Sequence, residues 1–275
     1  MWFVLLVLAS AIPFAMFIRS RSKAVGPLSP SDHVLLVIAH PDDESLFFSP
    51  TMLKLAQYRV PTSVLCLSNG NADGKGAIRA REFLEACSVL SIPRSQITII
   101  DDPLLQDGME RKWDTEHAAG YVREAVDRCD ATAVLTFDAK GVSGHPNHIA
   151  TFRAVTSSLS ALKGKRSRAI RAYSLESVSM MRKFISLLDL PLASLLSLVS
   201  KGKKDIILSP YPSQGWAAMR KHKSQMVWYR YLFLLFSSYT VFNVLVRLDE
   251  EELIESTDIA TSATYPITNL FLGWR

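Results

Sequence analysis

Paired cysteines are missing from this sequence of 275 residues. Its only cysteines are Cys66, Cys87 and Cys129, an odd number with no C-x-x-C pair. A disulfide framework needs paired cysteines and an oxidising compartment. We therefore exclude a secreted disulfide scaffold, predict a reducing compartment and expect all three thiols to be small buried residues.

The chain also lacks a long run of lysine and arginine interleaved with aromatic residues, and no G-x-G-x-x-G segment follows its first predicted strand. The first absence predicts that nucleic acid is not a partner. The second ranks a nucleotide-binding domain last among the possible functions. The formal net charge of +5 is mildly basic and suits an anionic membrane surface.

The N-terminus has no charged residue over residues 1–18, and the basic segment RSRSK follows directly. This run is barely long enough to span a bilayer, which takes roughly 17–25 apolar residues. Its positive charge comes after the apolar run, which favours a signal anchor over a cleaved signal peptide. By the positive-inside rule, the body of the protein then lies in the cytosol. We predict a transmembrane anchor at 1–18, a basic linker at 19–32 and one domain over 33–275.

Strands and helices are predicted to alternate from residue 33 onwards. The predicted strands are 33–40, 62–68, 96–100, 131–137 and 169–177. The predicted helices are 45–59, 77–90, 115–129 and one that starts at about 149. Continuous apolar strands between amphipathic helices indicate an α/β fold: a Rossmann-like parallel sheet of order 3-2-1-4-5 with helices on both faces.

Two polar motifs follow strands that should be neighbours in this sheet. AHPDDE (39–44) comes after the first strand, and GHPNH (144–148) comes after the fourth. Ligands of such sheets bind beyond the carboxyl ends of the strands, where the winding reverses. We therefore expect the two motifs to meet, although about a hundred residues separate them.

The two motifs contain the residue types of a hydrolytic metal site. Such a zinc site has three protein ligands and one open position. His40, Asp43 and His148 are the candidate ligands, Asp42 the candidate general base, and His145 a candidate acid or oxyanion donor. Taken separately, an Asp-Asp pair is an ordinary turn or helix cap and His-Pro an ordinary loop; the metal site depends on their meeting.

AHPDDE with HPNH resembles the signature of the N-acetylglucosaminyl-phosphatidylinositol de-N-acetylase family, the LmbE-like zinc deacetylases. The resemblance runs from about residue 33 to 245 and includes the stretches 68–93, 135–148 and 218–230. The first and last of these, together with the N-terminal anchor, are most similar to the eukaryotic membrane enzymes of glycosylphosphatidylinositol (GPI) anchor synthesis.

The resemblance implies an LmbE-like fold and a role for each motif residue. Zinc would be bound by His40, Asp43 and His148, with Asp42 as the base and His145 assisting the tetrahedral intermediate. The implied reaction removes the acetyl group of N-acetylglucosaminyl-phosphatidylinositol, the second step of GPI-anchor biosynthesis, at the endoplasmic reticulum membrane. The implied partners are that glycolipid and the membrane, with no obligate protein partner.

Two further residues are candidates for substrate binding. Arg79 lies on the helix after a Gly/Asn-rich loop, where its fork of donors would suit a phosphate or inositol. An exposed helical pair with Glu82 is the alternative. His222, in RKHKSQ, is similar to an H-x-S-Q segment of the family that borders the active site; a solvated surface position is the alternative.

Two apolar stretches, 184–199 and 227–248, are open to two interpretations. Asp189 and Arg230 favour buried core helices, whereas Trp228 belongs to the types found at bilayer interfaces and favours an apolar shelf there.

Two rival functions also remain: deacetylation of another N-acetyl sugar conjugate, and an inactive membrane-tethered binding protein. Two histidines and a carboxylate would also hold iron or cobalt.

Overall fold

The computed structural model describes residues 26–249. The predicted anchor at 1–18, the first part of the predicted linker and the residues after 249 lie outside the described residues. Within residues 26–249, no helix combines the length and the apolar character that a membrane span requires.

A seven-stranded sheet of order β3-β2-β1-β4-β5-β7-β6 organises the chain. Its strands are Val34–Ile38 (β1), Thr62–Cys66 (β2), Ile97–Ile99 (β3), Ala133–Phe137 (β4), Arg171–Leu175 (β5), Lys204–Leu208 (β6) and Phe242–Arg247 (β7). The first five strands are parallel and confirm the predicted order 3-2-1-4-5. Strands β7 and β6, which were not predicted, extend the sheet beyond β5 through two antiparallel pairs, β5 with β7 and β7 with β6.

Nine α-helices connect and flank the strands in the part of the chain that the structure describes. They are Asp43–Leu46 (α1), Ser49–Gln57 (α2), Gly76–Val89 (α3), Thr115–Arg128 (α4), Pro146–Leu162 (α5), Met180–Lys183 (α6), Leu190–Val199 (α7), Pro212–Met219 (α8) and Trp228–Phe236 (α9), in addition to a kinked helical turn at Gly141–Gly144. Helix α4 packs on α5, and α3 packs on α8. Right-handed crossovers place these two groups on opposite faces of the sheet.

The middle of the sheet is the apolar core. Every residue of β1 and of β4 is buried, as expected for parallel strands that are covered on both faces. The two strands pair in register, with Val34 opposite Ala133 and Leu36 opposite Leu135. Their carboxyl ends are therefore level, and the motifs that follow them start side by side.

Several predicted boundaries differ from the structure. The predicted helix 45–59 is two helices, α1 and α2, and the helix expected from about 149 begins at Pro146. The stretch 227–248 is not one helix: it contains α9 and then β7. The described part of the predicted linker packs onto the domain, because Leu28 is buried and the buried Asp32 pairs with Arg171.

Candidate metal and catalytic site

Asp43 fixes the backbone that leaves β1. Its Oδ2 accepts hydrogen bonds from the backbone N–H groups of Ala39 (3.1 Å) and His40 (2.8 Å). These bonds fold the chain back at the strand end, and they leave Oδ1 directed at His148 Nε2, 3.1 Å away. One carboxylate thus both shapes the loop after β1 and reaches the motif after β4.

His148 is held by β4 and by the turn that precedes α5. Its ring stacks on that of Phe137, the last residue of β4, with the centroids 4.1 Å apart and the planes parallel to within 1°. Nδ1 donates to the carbonyl oxygen of Gly141 (3.0 Å), which leaves the lone pair of Nε2 facing Asp43. Gly141 has φ +62°, and a Cβ there would lie 2.9 Å from the Cβ of His148, so only glycine fits.

His40 completes the group from the β1 side. Its Nε2 lies 3.1 Å from Asp107 Oδ1 and 3.1 Å from Asn147 Oδ1. A proton on Nε2 therefore has an acceptor, and Nδ1, which lies 3.9 Å from Asp43 Oδ2, is left with a lone pair. A carboxylate behind a histidine in this way is the usual outer partner of a metal-binding imidazole.

The three side chains are close enough together to be proposed as ligands of one divalent ion. Two ligand atoms bound to one zinc ion at about 2.0–2.2 Å and a tetrahedral angle lie roughly 3.3–3.5 Å apart. The observed separations are 3.1 Å from His148 Nε2 to Asp43 Oδ1 and 3.9 Å from His40 Nδ1 to Asp43 Oδ2, which are the two oxygens of one carboxylate. All three residues are buried. The structure thus brings together the predicted ligands His40, Asp43 and His148.

Charge balance supports the same conclusion. Burial lowers the pKa of His40, but the carboxylates of Asp107 and Asp43 raise it more, so the net pKa is raised. Burial raises the pKa of Asp43, but His148 and His40 lower it more, and the net pKa lies well below its usual range. The cluster therefore attracts positive charge to its centre, and an ion bound there would displace protons.

His145 lies against the other two imidazoles. Suitable ligand atoms of His40, His145 and His148 lie within 4.8 Å of one another. His145 caps α5, and its Nδ1 accepts from the backbone N–H of Asn147 (3.2 Å), so a neutral ring carries its proton on Nε2. Burial and the adjacent His40 and His148 lower the pKa of His145 to about 2. The side chain is therefore a neutral hydrogen-bond donor at pH 7.

Asp42 is the most strained residue of the motif. Its backbone has φ 118°, an arrangement that costs a side chain about 1–3 kcal/mol and persists where the surroundings enforce it. Its backbone N–H donates to Glu44 Oε2 (3.1 Å). Two guanidinium groups flank its carboxylate, Arg230 Nη2 at 3.1 Å and Arg79 Nη2 at 3.7 Å. The candidate base is thus fixed from its backbone and from both oxygens.

Arg79 is buried and connects the loops that follow β1, β2 and β3. Its Nη2 donates to the carbonyl oxygen of Pro41 (2.8 Å), and its Nη1 donates to that of Gly70 (3.0 Å) and to Asp107 Oδ2 (2.9 Å). The exposed pair with Glu82 is wrong, since Glu82 is also buried and accepts instead from Ser224. The donors of Arg79 are thus used mostly within the protein.

His222 lies behind the site and not on its surface. Its side chain is fully buried, and Nε2 contacts Glu44 Oε1 at 2.6 Å. The solvated alternative is therefore wrong, and the predicted contact with substrate does not match a side chain with 0% exposure. Burial lowers the pKa of His222, but Glu44 raises it more, so the net pKa is raised. The position connects His222 to Asp42 through Glu44.

Four functional candidates were not assigned a role from the sequence: Glu44, Asp107, Asn147 and Arg230. Glu44 and Asn147 lie inside the two motifs. Asp107 lies in the loop after β3, at the same edge of the sheet as the motifs, and that position was the available signal. Arg230 stood out only as a charge in an apolar stretch.

Comparison with known proteins places this site in a family. Residues 35–159 match the family model described as GlcNAc-PI de-N-acetylase. A Schizosaccharomyces pombe protein named "Probable N-acetylglucosaminyl-phosphatidylinositol de-N-acetylase" is 38% identical over 254 residues, which cover 90% of this chain and 98% of that one. This chain belongs to the GlcNAc-PI de-N-acetylase family.

Two further proteins are similar to this chain, one in sequence and one in fold. The Bos taurus N-acetylglucosaminyl-phosphatidylinositol de-N-acetylase is 39% identical over 226 residues, covering 82% of this chain and 87% of that one. A solved structure of N,N'-diacetylchitobiose deacetylase from Pyrococcus horikoshii aligns with a TM-score of 0.57 at 15% identity, covering 94% and 97% of the two chains. At that identity the likeness concerns the fold alone.

Proposed function

We propose that this protein is a metal-dependent amide hydrolase that removes the acetyl group of N-acetylglucosaminyl-phosphatidylinositol. The products are glucosaminyl-phosphatidylinositol and acetate. The carrying observation is the convergence of His40, Asp43 and His148 beside the buried carboxylate of Asp42 and the imidazole of His145. The relatives named for this reaction, at 38% and 39% identity over most of the chain, support the choice of substrate.

His40, Asp43 and His148 would hold the ion, with zinc as the default and iron or cobalt as alternatives. When bound, such an ion polarises the acetyl carbonyl and lowers the pKa of an attacking water. Asp107 keeps the proton of His40 on Nε2, and Gly141 keeps that of His148 on Nδ1. These two acceptors leave the opposite ring nitrogens available as ligands.

The remaining residues move protons and stabilise charge. Asp42 takes a proton from the attacking water, in a position fixed by Arg230 and Arg79. Nε2–H of His145 donates to the acetyl oxygen as it becomes negative. The amide C–N bond then breaks, and the leaving amine takes a proton from Asp42 or from His145.

Two residues predicted to bind substrate act as supports in this proposal. Arg79 holds the loop at Pro41 and the carboxylate of Asp107 in place. His222 holds Glu44, and Glu44 in turn holds the backbone N–H of Asp42.

The cellular setting is a further part of this proposal, and the N-terminal sequence supports it. The reaction would be the second step of GPI-anchor biosynthesis, at the endoplasmic reticulum membrane. The predicted anchor at 1–18, with basic residues after it, would orient the domain to the cytosol. No nucleic acid and no obligate protein partner are part of this proposal.

A substrate series tests the proposal against its two rivals. Acetate release is measured from N-acetylglucosaminyl-phosphatidylinositol, from the same head group without lipid, and from N,N'-diacetylchitobiose. We expect release from the glycolipid to exceed the other two by at least tenfold in kcat/KM. Equal or faster release from a lipid-free sugar would support a deacetylase of another conjugate. No release from any of them, in zinc-loaded protein, would support an inactive binding protein.

A further inference from the structure

Helix α7 exposes large apolar side chains, and its buried face is partly polar. The buried positions are Leu190, Ala193, Ser194 and Ser197, and the two serine hydroxyls donate to the carbonyl oxygens of Leu190 and Lys204. Its outward positions carry large apolar side chains: Leu192, Leu195, Leu198 and Val199, of which Val199 is 66% exposed. A helix that faces water has the opposite distribution.

The turn before α7 likewise buries a charged side chain and exposes apolar ones. Asp189 is buried and receives two hydrogen bonds from Arg182, to Oδ1 (2.7 Å) and to Oδ2 (3.0 Å). Leu187 and Leu188 precede it in the chain and point outward, and Leu188 is 79% exposed. The charge that favoured a buried core helix is thus inside, and the leucines are outside.

Helix α9 extends the same surface. Trp228, 74% exposed, starts an outward row that also contains Tyr231, Leu232, Leu235 and Phe236. On its inner side, the ring of Phe233 meets that of Phe184 with centroids 6.0 Å apart, so α9 adjoins the segment that leads to α7. We call the exposed apolar side chains of 185–199 and 227–236 the apolar shelf.

Unpaired basic residues adjoin both helices of the apolar shelf. Of the ten lysines and arginines in 180–204 and 220–247, five pair with acids: Arg182 with Asp189, Lys203 with Asp249, Lys204 with Glu176, Lys221 with Glu85 and Arg230 with Asp42. Lys183 is buried. Lys201 follows α7 directly, Arg220 and Lys223 precede α9, and none of these three forms an ion pair within residues 26–249. A second copy of this chain that docked through the same face would bring like charges together. An anionic lipid surface would instead attract the basic residues, and the rings of Trp228 and Tyr231 are of the types found at the level of the lipid head groups.

The apolar shelf is connected to the candidate site. Arg230 lies on α9 and contacts Asp42 (3.1 Å), so one helix carries both a shelf surface and a site contact.

We propose that the apolar shelf lies on the surface of an anionic phospholipid bilayer, where it presents the site to a lipid-borne head group. The identity of that head group rests on the proposed function, whereas the docking does not. Amphipathic surfaces of this kind enter the boundary between head groups and acyl chains by about 5–10 Å. The bilayer would thus cover the outward leucines of the apolar shelf with an apolar medium.

Lipid quenching of a thiol-linked fluorophore tests this docking in the full chain. Leu188→Cys and Leu235→Cys place a label on the apolar shelf, and Leu104→Cys is the control. Leu104 is 63% exposed and follows β3, at the opposite edge of the sheet from β6. The unsubstituted protein measures background labelling of Cys129, since Cys66 and Cys87 are buried. Each protein is reconstituted in vesicles of phosphatidylcholine and phosphatidylserine, with or without bromine on the acyl chains.

We expect bromolipid to quench the labels at 188 and 235 several-fold more than the label at 104. Replacing phosphatidylserine by phosphatidylcholine should reduce that difference. Equal quenching at all three positions, or none, would overturn the proposal. Labels at 188 and 235 that bromolipid does not quench, but that are shielded from aqueous iodide, would also overturn it in favour of a protein contact.

The readout separates docking from catalysis. It uses no substrate, so shelf labels that are quenched in a protein that releases no acetate would uphold the docking and reject the proposed function. Acetate release from vesicle-borne glycolipid by a protein with unquenched shelf labels would uphold the proposed function and reject the docking.

Discussion

The site at the ends of β1 and β4 and the apolar shelf on α7 and α9 depart from ordinary protein architecture in opposite directions. The site buries charged groups, among them Asp42, Asp43 and Glu44. The shelf exposes large hydrocarbon side chains, with Leu188 and Trp228 more than 70% accessible. Soluble proteins rarely bury unpaired charge and rarely expose a large continuous apolar patch.

This difference shows what each region requires from outside the chain. Arg230 pairs with Asp42 and His222 pairs with Glu44, so the cluster of His40, Asp43 and His148 is the part of the site that a bound cation would complete. An apolar face is stable when another apolar medium covers it. In this account a divalent ion completes the first region and a lipid surface the second. Changes in one region should therefore leave the other intact.

The largest effect is expected for His148→Ala, which removes a proposed ligand. Bound zinc should fall from about one ion per chain to nearly none, and acetate release should fall to background. Elemental analysis of the purified protein measures the ion. Bromolipid quenching of a label at residue 188 should stay unchanged. Zinc content equal to that of the parent would reject the ligand assignment.

Asp42→Asn should separate chemistry from metal binding. Asparagine has the same shape and tolerates positive φ, so the loop is expected to fold. Loss of the general base should lower kcat by about 100- to 10,000-fold with zinc content unchanged. Steady-state acetate release together with metal analysis measures both. A turnover near that of the parent would reject the role of Asp42.

Asp107→Asn should have an intermediate effect. Asn keeps an oxygen near His40 but loses the negative charge that favours a proton on Nε2. Outer partners of metal-binding histidines typically change metal affinity or activity by about 10- to 100-fold. Competition with a chelator measures the affinity. Leu104→Gln, an exposed change in the same loop, is the control and should leave both quantities unchanged.

His222→Gln should have the smallest effect on turnover, because His222 acts through Glu44. The folded-state pKa of His222 is raised by Glu44, so the stabilisation is full below the unfolded value of about 6.5 and is lost as the pH rises through the folded value. The substitution should lower the free energy of unfolding by on the order of 2 kcal/mol at pH 6, and less at higher pH. Denaturant unfolding at several pH values measures the difference in free energy of unfolding between the parent and the variant. A difference that does not become smaller as the pH rises would contradict the ion pair of His222 with Glu44.

The parallel half of the fold was predictable because its signals are local. Continuous apolar strands alternate with amphipathic helices, and parallel strands place their carboxyl ends together. Hence the meeting of His40, Asp43 and His148 followed from the order of the strands. Strand β7 was missed because it continues the apolar stretch of α9, and periodicity alone does not distinguish a buried strand from a helix.

The supporting residues were not predictable because their roles are set by distant contacts. His222 reads as one histidine among lysines, and its burial depends on Glu44, which lies 178 residues away in sequence. Likewise, Asp107 contacts His40 and Arg79 only because the loop after β3 lies beside them in the folded protein. Sequence patterns identified the groups proposed for the reaction, and three-dimensional packing identified the groups that hold them.

Metal removal and return in the unmodified protein tests the central claim most directly. The full chain is stripped with a chelator and titrated with zinc, while bound ion and acetate release from N-acetylglucosaminyl-phosphatidylinositol are measured together. The account predicts background release from the stripped protein and a return of activity that follows the bound ion up to about one per chain. Full-rate deacetylation by the stripped protein would contradict it.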